Sequence, residues 1–479
     1  MKARKLVMSL ISMSVLAGCA TGPVYRRPEV NVPQTYQGAS AAQGRDWIAG
    51  EPADGAARGP WWQSYGDRVL DALEDRVGTG NQSVKKALAQ LMQAKAQVNE
   101  ARAAYAPVLS AGVAADRAHT SANVPGKSLA GQTVPDYLAA LDVSWEPDLW
   151  DRIGHTADLA GANFQAGAAD LAAVELSAHA ELAIAYFNVR AIDVEKNLLD
   201  QSVRIESQVL DLARQRYAAG LDSQAEVEQA QMQLAAKQIQ ASDLGVSRAS
   251  YVHAIATLIG EPASNFKLEA GNFSYDMPKI PLGLPSALLQ RRPDIAAAER
   301  RVAAANAGIG IAQSAFYPNL VLTAGFGVES SSFASLLSAP SRMWALGPAL
   351  IGTLFDGGAR RARLDNANAQ YDVEVASYRQ TVLGAFQQVE DQLATIAVLT
   401  HEEEQQQQAT RASRSAQSLA LQRFNAGAVG AMEMDVAEIV ALDQDGKALE
   451  IRRRQLDASV MLVKALGGDW NVMPSQGRS

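Results

Sequence analysis

Two stretches of the chain carry the same order of hydrophobic and polar positions. In each, apolar residues recur at steps of three and four, the spacing that aligns side chains on one face of a coiled-coil helix. The earlier seam consists of Val227, Ala230, Leu234, Lys237, Ala241, Leu244, Arg248, Tyr251, Ile255 and Leu258. The later seam lies 207 residues further on, where eight of the ten positions are again apolar and both polar breaks recur. The pattern predicts two equivalent helices.

The later helix has a second apolar stripe on another face. It consists of Val436, Ile439, Leu442, Leu449, Leu456, Val460 and Val463. A helix with two apolar stripes has two neighbours. This pattern is compatible with a closed ring of helices and with the core of an ordinary bundle.

The two longest predicted helices precede these seams. Residues 151–219 and 357–426 contain no proline and few glycines, and each stretch would reach on the order of 100 Å as a continuous helix. Each ends at an Arg-Tyr/Phe-x-Ala-Gly sequence, where Gly220 and Gly427 suit a left-handed C-cap. We therefore predict two long helical hairpins.

A shorter helix and a pair of strands come before each long helix. A helical pattern covers about 66–105, its second copy begins at Pro293, and prolines end the two copies at Pro107 and Pro318. Alternating apolar positions after each proline predict a strand, and further strands are predicted at 141–146 and 344–355. Pro348 implies a kink or bulge in the last strand. Strands of about ten residues can cross a membrane when tilted.

These repeats divide the chain into segments. The order of markers, among them Ala-Arg-Ala-Ala-Tyr-Ala-Pro-Val-Leu at 101–109 and Ala-Gln-Ser-Ala-Phe-Tyr-Pro-Asn-Leu at 312–320, indicates an internal duplication. The predicted segments are a signal peptide (1–18), a tether (19–65), a first repeat (66–265), a linker (266–284), a second repeat (285–470) and a tail (471–479).

The N-terminus predicts export and lipidation. A basic start and a short apolar stretch are followed by Leu-Ala-Gly-Cys, which resembles a bacterial lipobox cut before Cys19. Aspartate directly after the cysteine is the usual exception in the sorting of bacterial lipoproteins. Here that position is Ala20, so the expected destination is the outer membrane. An ordinary signal peptide with an incidental cysteine is the alternative. Trp61 and Trp62 end the tether, and we expect them to pack on the first helix.

Composition narrows the function classes. The net charge of −8 argues against nucleic-acid binding, and one cysteine with five scattered histidines offers little for a transition-metal site. We find no arrangement for a nucleophile or catalytic base, and we expect neither an enzyme nor a cofactor beyond covalent lipid on Cys19. Asp148, Asp151 and Asp356 fall at strand-to-helix corners, where capping is the favoured interpretation.

Four membrane-length strands cannot close a barrel alone. Open sheet edges are not tolerated in lipid, because unpaired backbone groups there cost several kcal/mol each. Two chains would supply eight strands and three would supply twelve. An eight-stranded barrel is filled by its own side chains, so a conducting barrel favours three chains.

Several motifs together resemble the NodT-type lipoproteins of the TolC-like outer-membrane factor family. They are the lipobox, Gly-Pro-Val-Tyr-Arg-Arg-Pro at 22–28, Trp-Trp at 61–62, Trp-Glu-Pro-Asp-Leu-Trp at 145–150, Arg-Arg-Pro-Asp-Ile at 291–295, Ala-Phe-Tyr-Pro-Asn-Leu at 315–320, Leu-Phe-Asp-Gly-Gly at 354–358 and Lys-Ala-Leu-Gly-Gly at 464–468. The chain departs from the family at Asp151, where glycine is common.

The resemblance implies a fold and a set of partners. It implies a mainly α-helical homotrimer whose twelve-stranded β-barrel, four strands per chain, crosses the outer membrane and continues as a long periplasmic helical barrel. It also implies a periplasmic adaptor and an inner-membrane transporter of the resistance-nodulation-division type. The expected function is a passive exit duct for small toxic compounds or drugs, contacting outer-membrane lipids and no nucleic acid.

The resemblance also implies functional residues at the hairpin turns. Met432 would be an apolar plug of the periplasmic gate, and Glu433 or Asp435 an acidic ring. Alternatively, these carboxylates only favour a helix N-terminus. The expected adaptor contacts are Gly220, Leu221, Asp222, Ser223, Gly427, Ala428 and Val429.

Two other functions remain open from the sequence. A lipid-anchored periplasmic coiled-coil scaffold without a pore would explain the lipobox and heptads, although not two matched hairpins of membrane-spanning length. An outer-membrane duct for secreted protein or for metal ions would keep the channel and change its cargo.

Overall fold

The computed structural model describes residues 22–33, 35–36, 59–123, 126, 128–278, 280 and 291–468. Cys19, the signal peptide and the tail at 471–479 lie outside the described residues, as does part of the tether. The predicted lipidation therefore stays a prediction.

Equivalent helices of the two repeats have equal lengths of 22, 67 and 35 residues. The helices are α1 (Arg68–Gly80), α2 (Gln82–Ala103), α3 (Arg152–Ala218), α4 (Gln224–Leu258), α5 (Pro293–Ser314), α6 (Ala359–Asn425) and α7 (Ala431–Ala465). None of the helices within the described residues has both the length and the apolar character required to cross a membrane. The matched lengths confirm the predicted duplication.

Four antiparallel strands form one sheet in the order β1-β2-β3-β4. They are β1 (Val108–His119), β2 (Thr133–Trp145), β3 (Asn319–Ser330) and β4 (Arg342–Ile351). Each repeat thus contributes one hairpin, and the sheet joins the two hairpins through β2 and β3.

Of the kink or bulge implied by Pro348, the bulge is absent. The register between β3 and β4 is continuous, with Pro348 directly opposite Leu322. In this sheet β4 is an edge strand. An edge strand tolerates proline because the missing N–H can fall on its unpaired side.

The two faces of the sheet differ in polarity. Residues opposite one another in a sheet project to the same face, so the pairing of Phe326 with Leu141 and Trp344 defines an apolar face. That face carries Leu109, Val113, Leu141, Val143, Trp145, Leu320, Leu322, Phe326, Trp344, Leu346 and Leu350. The other face carries mostly small or polar residues, including Ser110, Asp116, Asp142, Ser144, Thr323, Gly325, Gly327 and Glu329.

One compact unit contains the sheet and the described part of Met1–Glu29, together with Leu91–Gly167 and Ala298–Tyr378. Here the first part of the tether is docked. The hydroxyl of Tyr25 donates a hydrogen bond to Glu299, and the Arg27 guanidinium donates to the Tyr378 hydroxyl at 3.2 Å. The Gly-Pro-Val-Tyr-Arg-Arg-Pro motif therefore holds the N-terminal segment against α5 and α6.

Both strand-to-helix corners are capped as expected, also within this unit. Asp148 accepts hydrogen bonds from the backbone N–H groups of Ile153 and Gly154, at 3.0 and 2.7 Å. Asp356 accepts from the N–H groups of Gly358 and Arg360, at 3.0 and 3.1 Å. These bonds satisfy donors that the first helical turn leaves unpaired.

The second compact unit contains Val30–Gln90, Ala168–Ala297 and the described part of Arg379–Ser479. Its core includes Trp62, whose ring stacks on His179 of α3 with centroids 4.4 Å apart. The Trp-Trp pair thus packs on a long helix of this unit, and not only on the first helix as expected. Residues 61–65 form a short 3-10 turn in which Trp61, Trp62 and Tyr65 are all buried.

Candidate functional site

The turns that close the two helical hairpins share one backbone geometry. Gly220 and Gly427 both have φ of 72°. The N–H of Leu221 donates to the Arg216 carbonyl, and that of Ala428 donates to the Arg423 carbonyl, each at 2.8 Å. These bonds pair the last carbonyls of α3 and α6. The left-handed C-caps predicted from the sequence are confirmed.

An ion pair holds the first turn. The Arg216 guanidinium donates two hydrogen bonds to the Asp222 carboxylate, at 2.7 and 2.8 Å. The side chain of Asp222 is only 9% exposed. Hydrogen bonding to Arg216 lowers the pKa of Asp222. The bidentate pair links the end of α3 to the residue that precedes the N-cap of α4.

A second interaction orders the start of α4. The Glu226 carboxylate accepts hydrogen bonds from the backbone N–H and the hydroxyl of Ser223, at 2.6 and 3.1 Å. Ser223 is the N-cap of α4, so Glu226 satisfies a backbone donor next to the helix start. The first turn therefore has two independent polar ties.

The second turn has an arginine and a glutamate equivalent to those of the first, but it has no equivalent of Asp222 or Ser223. Val429 stands at the position of Asp222, and Gly430 at the position of Ser223. With these two partners missing, Arg423 donates to Glu433 instead, at 2.8 Å. Both side chains of this pair are more than half exposed. The first turn has a bidentate ion pair and a tie at the helix start, whereas the second is held by a hydrogen bond between exposed side chains, so the second turn is held less firmly than the first.

The three predicted gate residues occupy different environments. Met432 packs against an apolar cluster that includes Ile205 and Val209 of α3. Glu433 is exposed and bound to Arg423, whereas Asp435 is 5% exposed. Burial raises the pKa of Asp435, and the neighbouring Glu438 raises it further. Of the two carboxylates proposed for an acidic ring, Glu433 is the accessible one.

The predicted adaptor-contact residues lie together on the two turns, and most are exposed. Gly220, Leu221, Ser223, Gly427 and Ala428 are exposed, with Leu221 at 69%. Asp222 and Val429 are partly covered. The first turn thus presents the large apolar side chain of Leu221, whereas the second has the smaller Ala428 at the equivalent position.

Sequence reasoning missed the arginines and Glu226. Arg216 and Arg423 belong to the Arg-Tyr/Phe-x-Ala-Gly sequence, which predicts the helix ends but not the partners of the two arginines. A signal was available, because residues 222–226 and 429–433 align without gaps and differ at the two residues that change the arginine's partner.

Comparison with known proteins agrees with this architecture. A family model described as "Outer membrane efflux protein" matches residues 75–261 and 284–468. The chain is 30% identical over 479 residues to the outer membrane protein OprJ of Pseudomonas aeruginosa, covering 99% of this chain and 97% of OprJ. It is 30% identical over 473 residues to the pyoverdine export outer membrane protein OpmQ of Pseudomonas putida, covering 98% of each.

A solved structure has the same fold. The outer-membrane channel OprN superimposes with a TM-score of 0.85 at 28% sequence identity, covering 94% of this chain and all of OprN. The match extends over the strands as well as the helical hairpins, since almost the whole chain is covered. Together with the two family segments, these matches confirm the resemblance drawn from the motifs: the chain belongs to the outer membrane efflux protein family.

Proposed function

We propose that this protein is the outer-membrane exit duct of a tripartite efflux system. Three copies would enclose a pore, and a periplasmic adaptor and an inner-membrane transporter would deliver small toxic compounds to it. The transporter would be of the resistance-nodulation-division type. The duct itself is passive, so its chemistry is that of a gate and a water-filled passage rather than that of a catalyst.

The observation that carries the proposal is the two-faced sheet with open edges. Its apolar face bears exposed Trp344 and Leu346, and Phe326 lies between Trp344 and Leu141. Among the residues that the structure describes, no strand pairs with the outer side of β1 or of β4. In lipid each unpaired backbone group would cost several kcal/mol, so copies of the chain must pair β4 with β1 until the sheet closes.

Three chains favour conduction over two. Twelve strands enclose a wider barrel than eight, and eight-stranded barrels are filled by side chains. The small and polar residues of the other face, among them Gly325 and Gly327, would then line a wet interior. The lipid that we expect on Cys19 would add a second attachment to the same membrane.

The gate is assigned to the second hairpin turn. Its polar tie is the exposed pair of Arg423 and Glu433, while the first turn has the bidentate pair of Arg216 with Asp222 and the contact of Glu226 with the Ser223 N–H. The first hairpin would stay fixed while the second moves. A ring of three Glu433 carboxylates would hold water and favour cations.

Cargo is proposed from the names of relatives. OpmQ is named for pyoverdine export, and a relative from Pseudomonas putida, 29% identical, is named a toluene efflux pump outer membrane protein. Both names refer to small molecules. Export of secreted protein or of metal ions is the alternative cargo, and a poreless scaffold is the alternative function.

Conductance of the purified protein in planar bilayers tests the duct and its gate. We expect cation-selective channels, with Glu433→Lys reducing the cation selectivity and altering the conductance at low salt. Asp435→Lys tests the buried carboxylate in the same way, and Glu226→Lys at the equivalent position of the first turn is the matched control. Absence of channels would contradict the duct. Unchanged selectivity in Glu433→Lys and Asp435→Lys would contradict the acidic ring alone.

A further inference from the structure

The charged side chains of the sheet are divided between its two faces. Alternate residues of a strand share a face, and residues paired across neighbouring strands project to the same face. By these rules the carboxylates of β1 to β4 all lie opposite the apolar face; they are Asp116, Asp136, Asp142 and Glu329. Arg117 pairs with Pro135, and Arg342 pairs with Val328. Both arginines of the strands therefore lie on the apolar face.

The two arginines lie near the loop ends of their strands, away from the ends that join the helices. On β1, Arg117 follows an apolar series that begins at Leu109, and on β4, Arg342 precedes a series that ends at Leu350. Each interval is eight residues, or about 26 Å along a strand at ~3.3 Å per residue. At the tilt of membrane barrels this length corresponds to roughly 20 Å in height, close to the ~25 Å of their apolar band. Both guanidinium groups thus stand at one boundary of the band.

These arginines differ from those at the helix ends of the strands. Arg152 binds Glu146 at 2.8 Å, and Arg360 binds Asp356 at 2.8 Å. Arg117 and Arg342 are exposed, and within the part of the chain that the structure describes neither side chain has a hydrogen bond or an ion pair. The loop end of the apolar face therefore carries positive charge that the described residues leave unneutralised.

An aromatic side chain extends the same face beyond the strands. Tyr137 lies on the apolar face, four residues before Leu141 of the same strand. The ring of Phe333, in the loop between β3 and β4, packs edge-on against Tyr137 with centroids 5.7 Å apart. Phe333 is nevertheless 74% exposed. The Ser341 hydroxyl donates to the Ser335 carbonyl at 2.8 Å, so polar groups of this loop bond to one another while Phe333 points outward.

We propose that this loop end of the apolar face binds lipopolysaccharide, the phosphorylated glycolipid of the outer leaflet. Arg117 and Arg342 bind its phosphate groups, and Tyr137 and Phe333 pack against the sugar and the upper acyl chains. The inference rests on the proposed outer-membrane duct. With the helices in the periplasm, the loop ends of the strands meet the outer leaflet.

The chemistry of the surface favours this ligand. Guanidinium groups bind phosphate oxygens in a bidentate manner. A free anion in the pore would meet the carboxylates of the other face, which repel it. Arginines beside exposed aromatic rings instead suit an amphiphile whose phosphates lie next to its acyl chains. Phospholipids of the inner leaflet would meet the helix ends of the strands, where Arg152 and Arg360 already bind carboxylates.

Native mass spectrometry of the full-length oligomer in detergent tests the site. The probes are lipid A with two phosphates, fully dephosphorylated lipid A, and phosphatidylglycerol. We expect the lipid A with two phosphates to bind at least tenfold more tightly than either of the others. Inorganic phosphate at millimolar concentration should not displace it. Equal binding of phosphatidylglycerol, or displacement by inorganic phosphate, would overturn the assignment to a glycolipid.

Paired substitutions test the two arginines. Arg117→Gln with Arg342→Gln should weaken binding of the phosphorylated lipid A at least tenfold and leave binding of the dephosphorylated form unchanged. The matched control is Arg102→Gln with Arg361→Gln, which removes the same charge from exposed arginines on the helices next to the sheet. It should change the affinity less than twofold. An equal loss in both pairs would show general charge attraction and would contradict the site.

Two further measurements separate the site from folding and from the duct. The same spectra give the mass of the oligomer and so show whether each variant assembles. A ligand of the folded state raises its stability, so phosphorylated lipid A should raise the dissociation temperature of the native oligomer more than that of the Arg117→Gln and Arg342→Gln variant. If the protein forms channels but binds both forms of lipid A equally, the glycolipid site is wrong and the duct stands. A protein that neither enters membranes nor conducts ions would overturn both.

Discussion

Arg216 and Arg423 occupy equivalent positions at the ends of α3 and α6, yet their guanidinium groups bind carboxylates at non-equivalent positions. Arg216 holds Asp222 in the turn, and Arg423 holds Glu433 in the first turn of the next helix. The switch follows from two substitutions between the repeats, Asp222 to Val429 and Ser223 to Gly430. The turn of the first hairpin, between α3 and α4, is therefore held by more polar contacts than the turn of the second, between α6 and α7.

Grafting the first turn onto the second should close the gate more tightly. With Val429→Asp and Gly430→Ser together, Arg423 regains a partner within the turn and Glu433 can tie the new N-cap. An N-cap contributes about 1 kcal/mol, so amide exchange in the first turn of α7 should slow by about fivefold. Hydrogen exchange by mass spectrometry measures this effect, and single-channel recording should show fewer openings.

The matched control for the graft is Val429→Ala with Gly430→Ala, which changes both side chains and supplies neither carboxylate nor hydroxyl. It should leave exchange in α7 close to that of the native chain. Equal slowing in the graft and the control would contradict the role of the polar ties.

Asp151 should be replaceable by glycine with a gain in stability. Within the described residues it is the one residue other than glycine with a positive φ, 58°. Gly358 stands at the equivalent position with φ of 95°. A side chain in this conformation costs about 1 kcal/mol. Asp151→Ala should therefore be less stable than Asp151→Gly by about that amount in thermal unfolding. Both variants remove the carboxylate, so equal stabilities would contradict backbone strain.

Glu74 should make stability fall as the pH rises. The side chain is fully buried and its Oε2 lies 2.7 Å from Nδ1 of His179. Burial, with Asp71 and Asp75 nearby, raises the pKa of Glu74 well above its ordinary value of 4.5. Above pH 4.5 and below the raised pKa, the native state keeps a proton that the unfolded state releases, so each step up in pH favours unfolding.

His179 acts in the opposite direction at lower pH. Burial lowers the pKa of His179 from 6.5 to about 4, so its contribution to stability is lost as the pH falls from 6.5 through about 4. Thermal unfolding between pH 6.5 and 9 isolates Glu74 from this effect. Glu74→Gln should become progressively more stable than the native chain over that range. A constant difference between the two would contradict an ionisation of Glu74 in unfolding.

Arg292 should be required for the junction of three helices. Its buried guanidinium donates to Asp294, to the Gln388 side chain at 2.8 Å and to the Ala465 carbonyl at 3.0 Å. Lysine cannot reproduce these directions at once. Arg292→Lys should lower the unfolding free energy by about 2–3 kcal/mol. Arg361→Lys, which changes an exposed pair, is the control and should cost less than about 0.5 kcal/mol.

The sequence by itself determined the elements and their duplication. Long stretches without proline, glycines at the helix ends and prolines before the strands fixed where α3, α6, β1 and β3 begin or end, because these are local constraints of the backbone. The heptad seams of α4 and α7 could likewise be read from spacing alone. The bulge that Pro348 could have caused is absent, because the effect of a proline depends on whether the strand is an edge, which only sheet pairing decides.

The tertiary structure decided which side chains meet. The sequence shows that Val429 replaces the carboxylate that Asp222 supplies, but it does not show that Arg423 then binds Glu433. Nor could it say that Asp435 is buried and Glu433 exposed, since both lie in the first turns of the same helix. Partner choice and burial arise when helices distant in sequence pack together, and so they follow from the fold rather than from local pattern.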